Sequence, residues 1–279
     1  MPVDAYSYEG KRALVVGGAT GMGAATASLV RSLGAHVTVF DIAEVSVEVD
    51  RSVQVDLRSV ESVDAAIDSV AEPVDALFSC AGVADGTEGI LEVNFVAQRH
   101  VIERLIADDL LADGGAIGVI SSLAGTGWYV HGREVLEFLA TPDWPSAIGW
   151  VRDREVEPTY RFTKRAMSAY IALRAMPLLE RRIRINGIEP SLTDTPLARA
   201  NAEHWLRFGA DYRAATGLEP LTPEQMAYPL AFLCSGAARG VTGTCLIVDQ
   251  GLVGAALTDT FDTPGTKARF GLEPDPRAG

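Results

Sequence analysis

Short apolar runs alternate along the chain with stretches whose apolar residues recur at helical spacing, and glycine or acidic residues mark most boundaries. Ala13-Leu14-Val15-Val16 is too short for a helix and suits a strand buried on both faces. It enters Gly17-Gly18-Ala19-Thr20-Gly21-Met22-Gly23, and Ala24 to Leu33 then has helical spacing until Gly34 stops it. His36 to Phe40 reads as a second strand ending at Asp41, and Val53-Gln54-Val55 as a third. The third begins only a dozen residues after Asp41, so the crossover helix between them is expected to be very short. Ser59 to Ala71 predicts a helix, Val74 to Phe78 a fourth strand running into Cys80-Ala81-Gly82, and Glu88 to Leu110 a long helix containing Asn94. Ala116 to Ile120 is a fifth strand ending at Ser121-Ser122. Strands alternating with helices predict an α/β chain with one doubly wound parallel sheet. Ligands of such sheets bind at the carboxyl ends of the strands, where Asp41, Cys80-Ala81-Gly82 and Ser122 fall.

Strand, glycine turn and helix in that order present backbone N–H groups and a helix N-terminus to a pyrophosphate. The glycines are spaced G-x-x-x-G-x-G, and Asp41 stands eighteen residues after Gly23, where an acid can accept hydrogen bonds from an adenosine ribose. Taken singly, the alternatives are a plain tight turn and an aspartate that starts a turn. No arginine or lysine stands beside Asp41 or in the glycine turn to receive a 2′-phosphate, which favours NAD over NADP.

Composition narrows the partners. The 279 residues are 48% hydrophobic and 22% charged, ordinary for a soluble globular protein. A formal charge of −13 argues against nucleic acid or an anionic membrane. Three scattered cysteines form neither a disulfide framework nor a CxxC site, and the four histidines show no metal spacing. The start has no signal pattern and no apolar run approaches a membrane span, so a cytoplasmic location is expected.

The remaining chemistry centres on Tyr160 and Lys164, four residues apart in a segment that reads as helix, so phenol and ammonium share one face. A nearby cation favours the ionised form of a phenol whose reference pKa is about 10. The alternative is a polar pair on a helix face. With seven tyrosines and three lysines against 21 arginines, a chance YxxxK is expected less than about one time in ten.

Together these residues resemble the short-chain dehydrogenase/reductase family over Gly10 to Gly251. The likeness rests on Gly17-x-x-x-Gly21-x-Gly23, Asp56, Cys80-Ala81-Gly82 in place of Asn-Ala-Gly, Asn94, Ser122, Tyr160-x-x-x-Lys164, Arg184-Ile185-Asn186-Gly187-Ile188-Glu189-Pro190, and Asp249-Gln250-Gly251. It implies a Rossmann-like single domain over 1–257 and an NAD cofactor lined by Gly17, Thr20, Gly21, Met22, Gly23, Asp41, Cys80, Ala81, Gly82, Pro190 and Leu192. Asp56 and Leu57 would lie near the adenine and Thr195 near the carboxamide, with Tyr160 and Lys164 also touching the cofactor. Tyr160 would exchange a proton with the substrate, Lys164 would hold the nicotinamide ribose and favour tyrosinate, Ser122 would polarise the substrate oxygen, and Asn94 would anchor a water. Cys80, Ser191 and Gln250 depart from the family pattern.

Ser122 and Tyr160 are 38 positions apart, where most members have little more than a dozen. The insert, 127–157, holds Trp128, Trp144 and Trp150 with Tyr129 and Phe138, and these rings either line a hydrophobic substrate or pack the insert onto the body. Trp205 stands beside His204 and Phe208 in 191–215, the region that the resemblance makes a substrate lid. A short second crossover with a long insert is similar to the bacterial 3α-hydroxysteroid dehydrogenase/carbonyl reductase group. The expected activity is NAD-dependent interconversion of a hydrophobic secondary alcohol and its ketone. A nucleotide-sugar epimerase or dehydratase and a non-catalytic NAD-binding protein are the alternatives. A homodimer or homotetramer is implied, and 258–279 reads as a loose tail or an arm on a neighbouring subunit.

Overall fold

Seven strands lie parallel in the order β3-β2-β1-β4-β5-β6-β7 in the computed structural model, which describes residues 5–205, 207–261 and 266–272. In chain order they are β1 (Arg12–Val16), β2 (His36–Asp41), β3 (Arg51–Gln54), β4 (Val74–Ser79), β5 (Leu111–Ile120), β6 (Arg184–Pro190) and β7 (Cys245–Val248). Successive side chains of a strand point to opposite faces, and the core divides accordingly. Leu14 and Val16 join the cluster under α2 (Val60–Asp68), α3 (Ala97–Ala107) and α6 (Tyr160–Leu178). Ala13 and Val15 join the cluster under α1 (Gly21–Ser32) and α10 (Pro223–Cys234). The strand order reverses between β1 and β4, and a crevice opens there beyond the carboxyl ends of the strands.

Two departures from the expected elements have physical causes. No helix joins β2 to β3. Residues 42–50 must return past a six-residue strand of about 20 Å. As a helix they would rise only about 13 Å, whereas extended they can span about 30 Å. Asp50 ties the end of this link to Val37, accepting its N–H at 2.7 Å. The helix around Asn94 is interrupted by a π turn at Glu92–Val96 before α3 begins.

The segment between β5 and α6 folds as α4 (Gly132–Leu139) and α5 (Trp144–Asp153), laid on α3 and α6. Phe138 is fully buried, with its ring centroid 5.2 Å from Phe95, 5.4 Å from Trp150 and 5.1 Å from Phe162. Trp144 meets His100 edge-on, and Arg99 of α3 donates to the carbonyls of Thr141 and Asp143. Trp128 packs against the same core, while Tyr129 is exposed. The tryptophans of this segment therefore fasten it to the body.

Between Thr195 and Gly217 lie three short helices, α7 (Pro196–Ala200), α8 (Ala202–Trp205) and α9 (Ala210–Thr216). After β7 come α11 (Leu252–Leu257) and α12 (Thr266–Arg269). Thr266 and Ala268 are buried and Lys267 pairs with Asp259, so this part of the tail folds onto its own chain. Pro264, Gly265, Pro274 and Pro276, like Met1–Asp4, lie outside the described residues. Phe138→Ala is expected to cost about 3–5 kcal/mol in denaturant unfolding, because it empties the centre of a four-ring cluster. Unchanged stability would mean that the segment is not fastened through this ring.

Candidate active site

The first cleft, of about 360 Å³, is built on the glycine turn. A Cβ at Gly17, whose φ is +81°, would meet Ala81 N and Cα at 2.5 Å, and one at Gly23 would lie 1.9 Å from the Gly17 carbonyl oxygen. Only bare backbone can close this turn. Thr20 makes no side-chain cap to α1, so the first-turn N–H groups stay available to an anion in the cleft. Asp41 braces the turn, its Oδ2 accepting the Ala19 N–H at 2.8 Å and its Oδ1 the Ala43 N–H at 2.9 Å.

Gly17, Thr20, Gly21, Met22, Gly23, Asp41, Asp56, Leu57, Cys80, Ala81, Gly82 and Thr195 all line this cleft. Arg58 also lines it, unforeseen from the sequence because it stands on a different strand end from Asp41. Its guanidinium is engaged bidentately with Asp56 at 2.9 and 2.7 Å, and these hydrogen bonds hold the Asp56 carboxyl below its usual range. Burial pushes the Cys80 thiol well up. Pro190 and Leu192, also expected at the cofactor, line the second cleft. β6 is three places from β1 in the sheet, so its end opens on the Tyr160 side.

That second cleft, of about 290 Å³, is walled by Tyr160, Ser122, Leu192, Leu197, Trp205 and Phe208. The Trp205 ring lies 5.2 Å from that of Tyr160. Arg161 is the one charged residue among the described lining residues. The His204 side chain lies outside the described residues. The two clefts meet, sharing Met22, Thr195 and Leu197. Besides Tyr160, the aromatic groups among the described lining residues of the second cleft, Trp205 and Phe208, come from 191–215 and not from the 127–157 segment.

Tyr160 opens α6. Thr159 caps the helix through the Phe162 N–H at 3.2 Å, and Asp85 accepts the Tyr160 N–H at 2.5 Å. One turn on, Lys164 is only 3% exposed; its Nζ donates to the Ile120 carbonyl at 3.0 Å and stands 5.5 Å from the centre of the Tyr160 ring. A Cβ on Gly82 would lie 3.7 Å from that Nζ and 3.8 Å from Asn94 Oδ1. The π turn aims Asn94 at Val83, whose N–H it accepts at 2.7 Å and whose carbonyl it bonds at 2.9 Å. Asn94 Nδ2 also reaches Thr163 Oγ1 at 3.3 Å, which ties this turn to α6.

Burial pushes Tyr160 up to about 12, against the hydrogen bond from Ser122 and with the help of Asp85. Burial pushes Lys164 down to about 8. The expectation that Lys164 draws the phenol toward neutrality is therefore not met in the protein alone. The ammonium sits over the ring, bonded to a carbonyl, and burial disfavours the charged form of each group. Among the described residues no cluster of His, Cys, Asp or Glu could hold a metal ion, and no helix is long and apolar enough to cross a membrane.

A glycine turn on the first strand of a doubly wound sheet, joined to an apolar cleft that holds a serine and a tyrosine with a buried lysine beside the tyrosine ring, defines a dinucleotide-dependent oxidoreductase. Known proteins agree. Residues 11–133 match the family model described as short chain dehydrogenase, and 146–253 one described as enoyl-(acyl carrier protein) reductase. A cis-4-hydroxycyclohexanecarboxylate dehydrogenase of Sinomonas cyclohexanicum is 30% identical over 257 residues, covering 86% of this chain and 95% of that protein. A coniferyl-alcohol dehydrogenase of a Pseudomonas species is 28% identical, covering 87% and 96%. The 3-alpha-hydroxysteroid dehydrogenase/carbonyl reductase of Comamonas testosteroni is 27% identical, covering 86% and 95%. A 3-alpha-hydroxysteroid dehydrogenase of a Pseudomonas species, solved with NADH, shares the fold at a TM-score of 0.71 and 21% identity, covering 90% and 100%. The chain belongs to the short-chain dehydrogenase family. It is an oxidoreductase acting on CH–OH groups, in a family that uses nicotinamide cofactors.

Proposed function

We propose that the protein is an NAD-dependent dehydrogenase/reductase that interconverts a hydrophobic cyclic secondary alcohol and its ketone. The observation that carries this reading is the junction of the two clefts at Met22, Thr195 and Leu197, with Tyr160 and Ser122 on the wall beside it. The residues fit a dinucleotide: the turn tolerates no side chain at Gly17 or Gly23, and the α1 N–H groups would hold its pyrophosphate. When bound, the nicotinamide supplies or accepts the hydride.

Tyr160 Oη takes the proton of the alcohol as hydride leaves the carbinol carbon, or gives a proton to the carbonyl oxygen in reduction. Ser122 hydrogen-bonds that oxygen and polarises it. Lys164 spends one of its three donors on Ile120 and keeps two for the nicotinamide ribose. Asn94 holds the loop after β4 in place and anchors the water through which Lys164 exchanges protons. The Asp41 carboxylate at the ribose end supports NAD, since a 2′-phosphate would face like charge while Arg58 is engaged by Asp56.

The flat rings of Trp205 and Phe208 suit a ring-containing substrate, a steroid among the candidates. Arg161 beside Tyr160 suits an acidic group on such a ring, in keeping with the relative that acts on cis-4-hydroxycyclohexanecarboxylate. We read the protein as a cytoplasmic homodimer or homotetramer. β7 is an edge strand, and Leu246 on it, with Leu173 and Met176 on α6, is exposed.

A panel of cyclic secondary alcohols with NAD is expected to give turnover, faster for carboxylate-bearing rings than for their neutral counterparts. Tyr160→Phe should lose about 10²-fold or more of that turnover while still binding NADH by fluorescence. Near-normal turnover would refute the assignment of Tyr160. Asp41→Ala should weaken NAD far more than NADP, and a cofactor preference that does not move would sink the ribose argument.

A further inference from the structure

Strand β6 carries a carboxyl group into the core. Glu189 is 4% exposed and points, like Ile185, to the α6 face of the sheet. Its Oε1 lies 2.7 Å from Ser168 Oγ, and its Oε2 lies 2.7 Å from Thr126 Oγ1. From Ser168 the contacts continue to Ser121 Oγ at 2.8 Å, and from Ser121 to the Lys164 carbonyl oxygen at 3.1 Å. Ser121 precedes Ser122, Thr126 closes the turn that follows it, and Ser168 stands one turn beyond Lys164. One chain of oxygens thus links the strand end bearing Ser122 to the helix bearing Tyr160 and Lys164. There is no slack in it, because a Cβ on Gly125 would lie within 3 Å of Ser168 Oγ, the Lys164 carbonyl and Ser121 Oγ.

Counting protons decides the state of the carboxyl. The four oxygen contacts need four protons, and the hydroxyls of Ser121, Ser168 and Thr126 supply three. With an ionised Glu189, one contact would set two lone pairs against each other in the core. With the acid proton present, Glu189 donates to Ser168, Ser168 to Ser121 and Ser121 to the Lys164 carbonyl, while Thr126 donates to Glu189. Every contact is then served.

The charged surroundings agree. Arg184 points to the other face of the sheet and donates to the carbonyls of Leu233, Ala238, Val241 and Ser235. Lys164 Nζ is engaged with Ile120. Cys245 of β7 is the titratable group that faces Glu189, and burial pushes its thiol up, so it brings no charge. An unpaired carboxylate here would bear the full cost of desolvation. Burial pushes the Glu189 carboxyl up, outweighing its contacts with Thr126 and Ser168.

We propose that Glu189 is a neutral carboxylic acid in the working enzyme, a positioning residue whose proton completes the chain fixing the Ser122 strand end against the Lys164 helix. Its catalytic meaning rests on the roles proposed for Ser122 and Tyr160, but its protonation can be read without activity. In ¹³C-glutamate-labelled protein near pH 7, infrared difference spectra against Glu189→Gln are expected to show a protonated-carboxyl band lost in the variant. A difference confined to carboxylate bands would overturn the proposal. Should the variant not fold, the same band must persist in the labelled wild type at neutral pH, and its absence has the same meaning.

The pH dependence has a fixed sign. The folded pKa stands above the unfolded one near 4.5, so the wild type loses stability relative to Glu189→Gln as pH rises from there toward the folded value. The gap in Tm should therefore move in favour of Glu189→Gln over that range, and a gap independent of pH would contradict a neutral Glu189. In turnover, Glu189→Gln keeps a donor in the chain and should stay within about threefold of wild type, whereas Glu189→Ala should lose roughly tenfold in kcat with little change in the KM for NADH. Equal losses in both variants would remove the positioning role while leaving the infrared result to stand or fall alone.

Discussion

One buried ammonium constrains the site more than any other group. Lys164 is taken out of water behind Gly82 and Tyr160, and an ammonium so placed must be hydrogen-bonded or lose its charge. The Ile120 carbonyl meets it because β5 ends there. Gly82 leaves the space above it open, and the Asn94 side chain pins the adjoining loop at Val83. Tyr160 is one helical turn away, so whatever fixes Lys164 fixes the phenol as well.

The surrounding architecture supplies rigidity on both sides of that point. The glycine turn is closed by backbone packed against Ala81, and Asp41 braces it from the next strand. Behind the tyrosine helix, the ring cluster around Phe138 presses α4 and α5 onto α3 and α6. Beneath it, the Glu189 chain links α6 to the end of β5. The substrate side is lighter in structure, made from the short helices α7 and α8 with Trp205 and Phe208.

Much of this is legible in the sequence. Apolar runs mark the strands, and Tyr160-x-x-x-Lys164 falls on a helix as its spacing requires. The glycine turn, Asp41, Asp56 and Cys80-Ala81-Gly82 converge on one cleft. What escaped the sequence depends on distant partners. The π turn at Asn94 leaves no local signature, and the partner its side chain meets there, Val83, is eleven residues away. Trp144 and Trp150 carry the same aromatic signal whether they line a substrate or pack a core, and only the neighbours His100, Phe138 and Phe162 distinguish the two. The direction of the Tyr160 shift depends on burial, which spacing alone does not reveal. Glu189 reads as one more strand residue until Ser168 and Thr126 are seen on either side of it.

The central claim is that Lys164 is desolvated and held by Ile120, and NMR tests it directly. The chain has three lysines, so selective ¹⁵Nζ labelling gives three signals to follow against pH, and Lys164→Met assigns the one of interest. Lys164 is expected to titrate at about 8 in the protein alone. A Lys164 signal titrating at the ordinary lysine value of 10.5 would show a solvated ammonium and contradict the account.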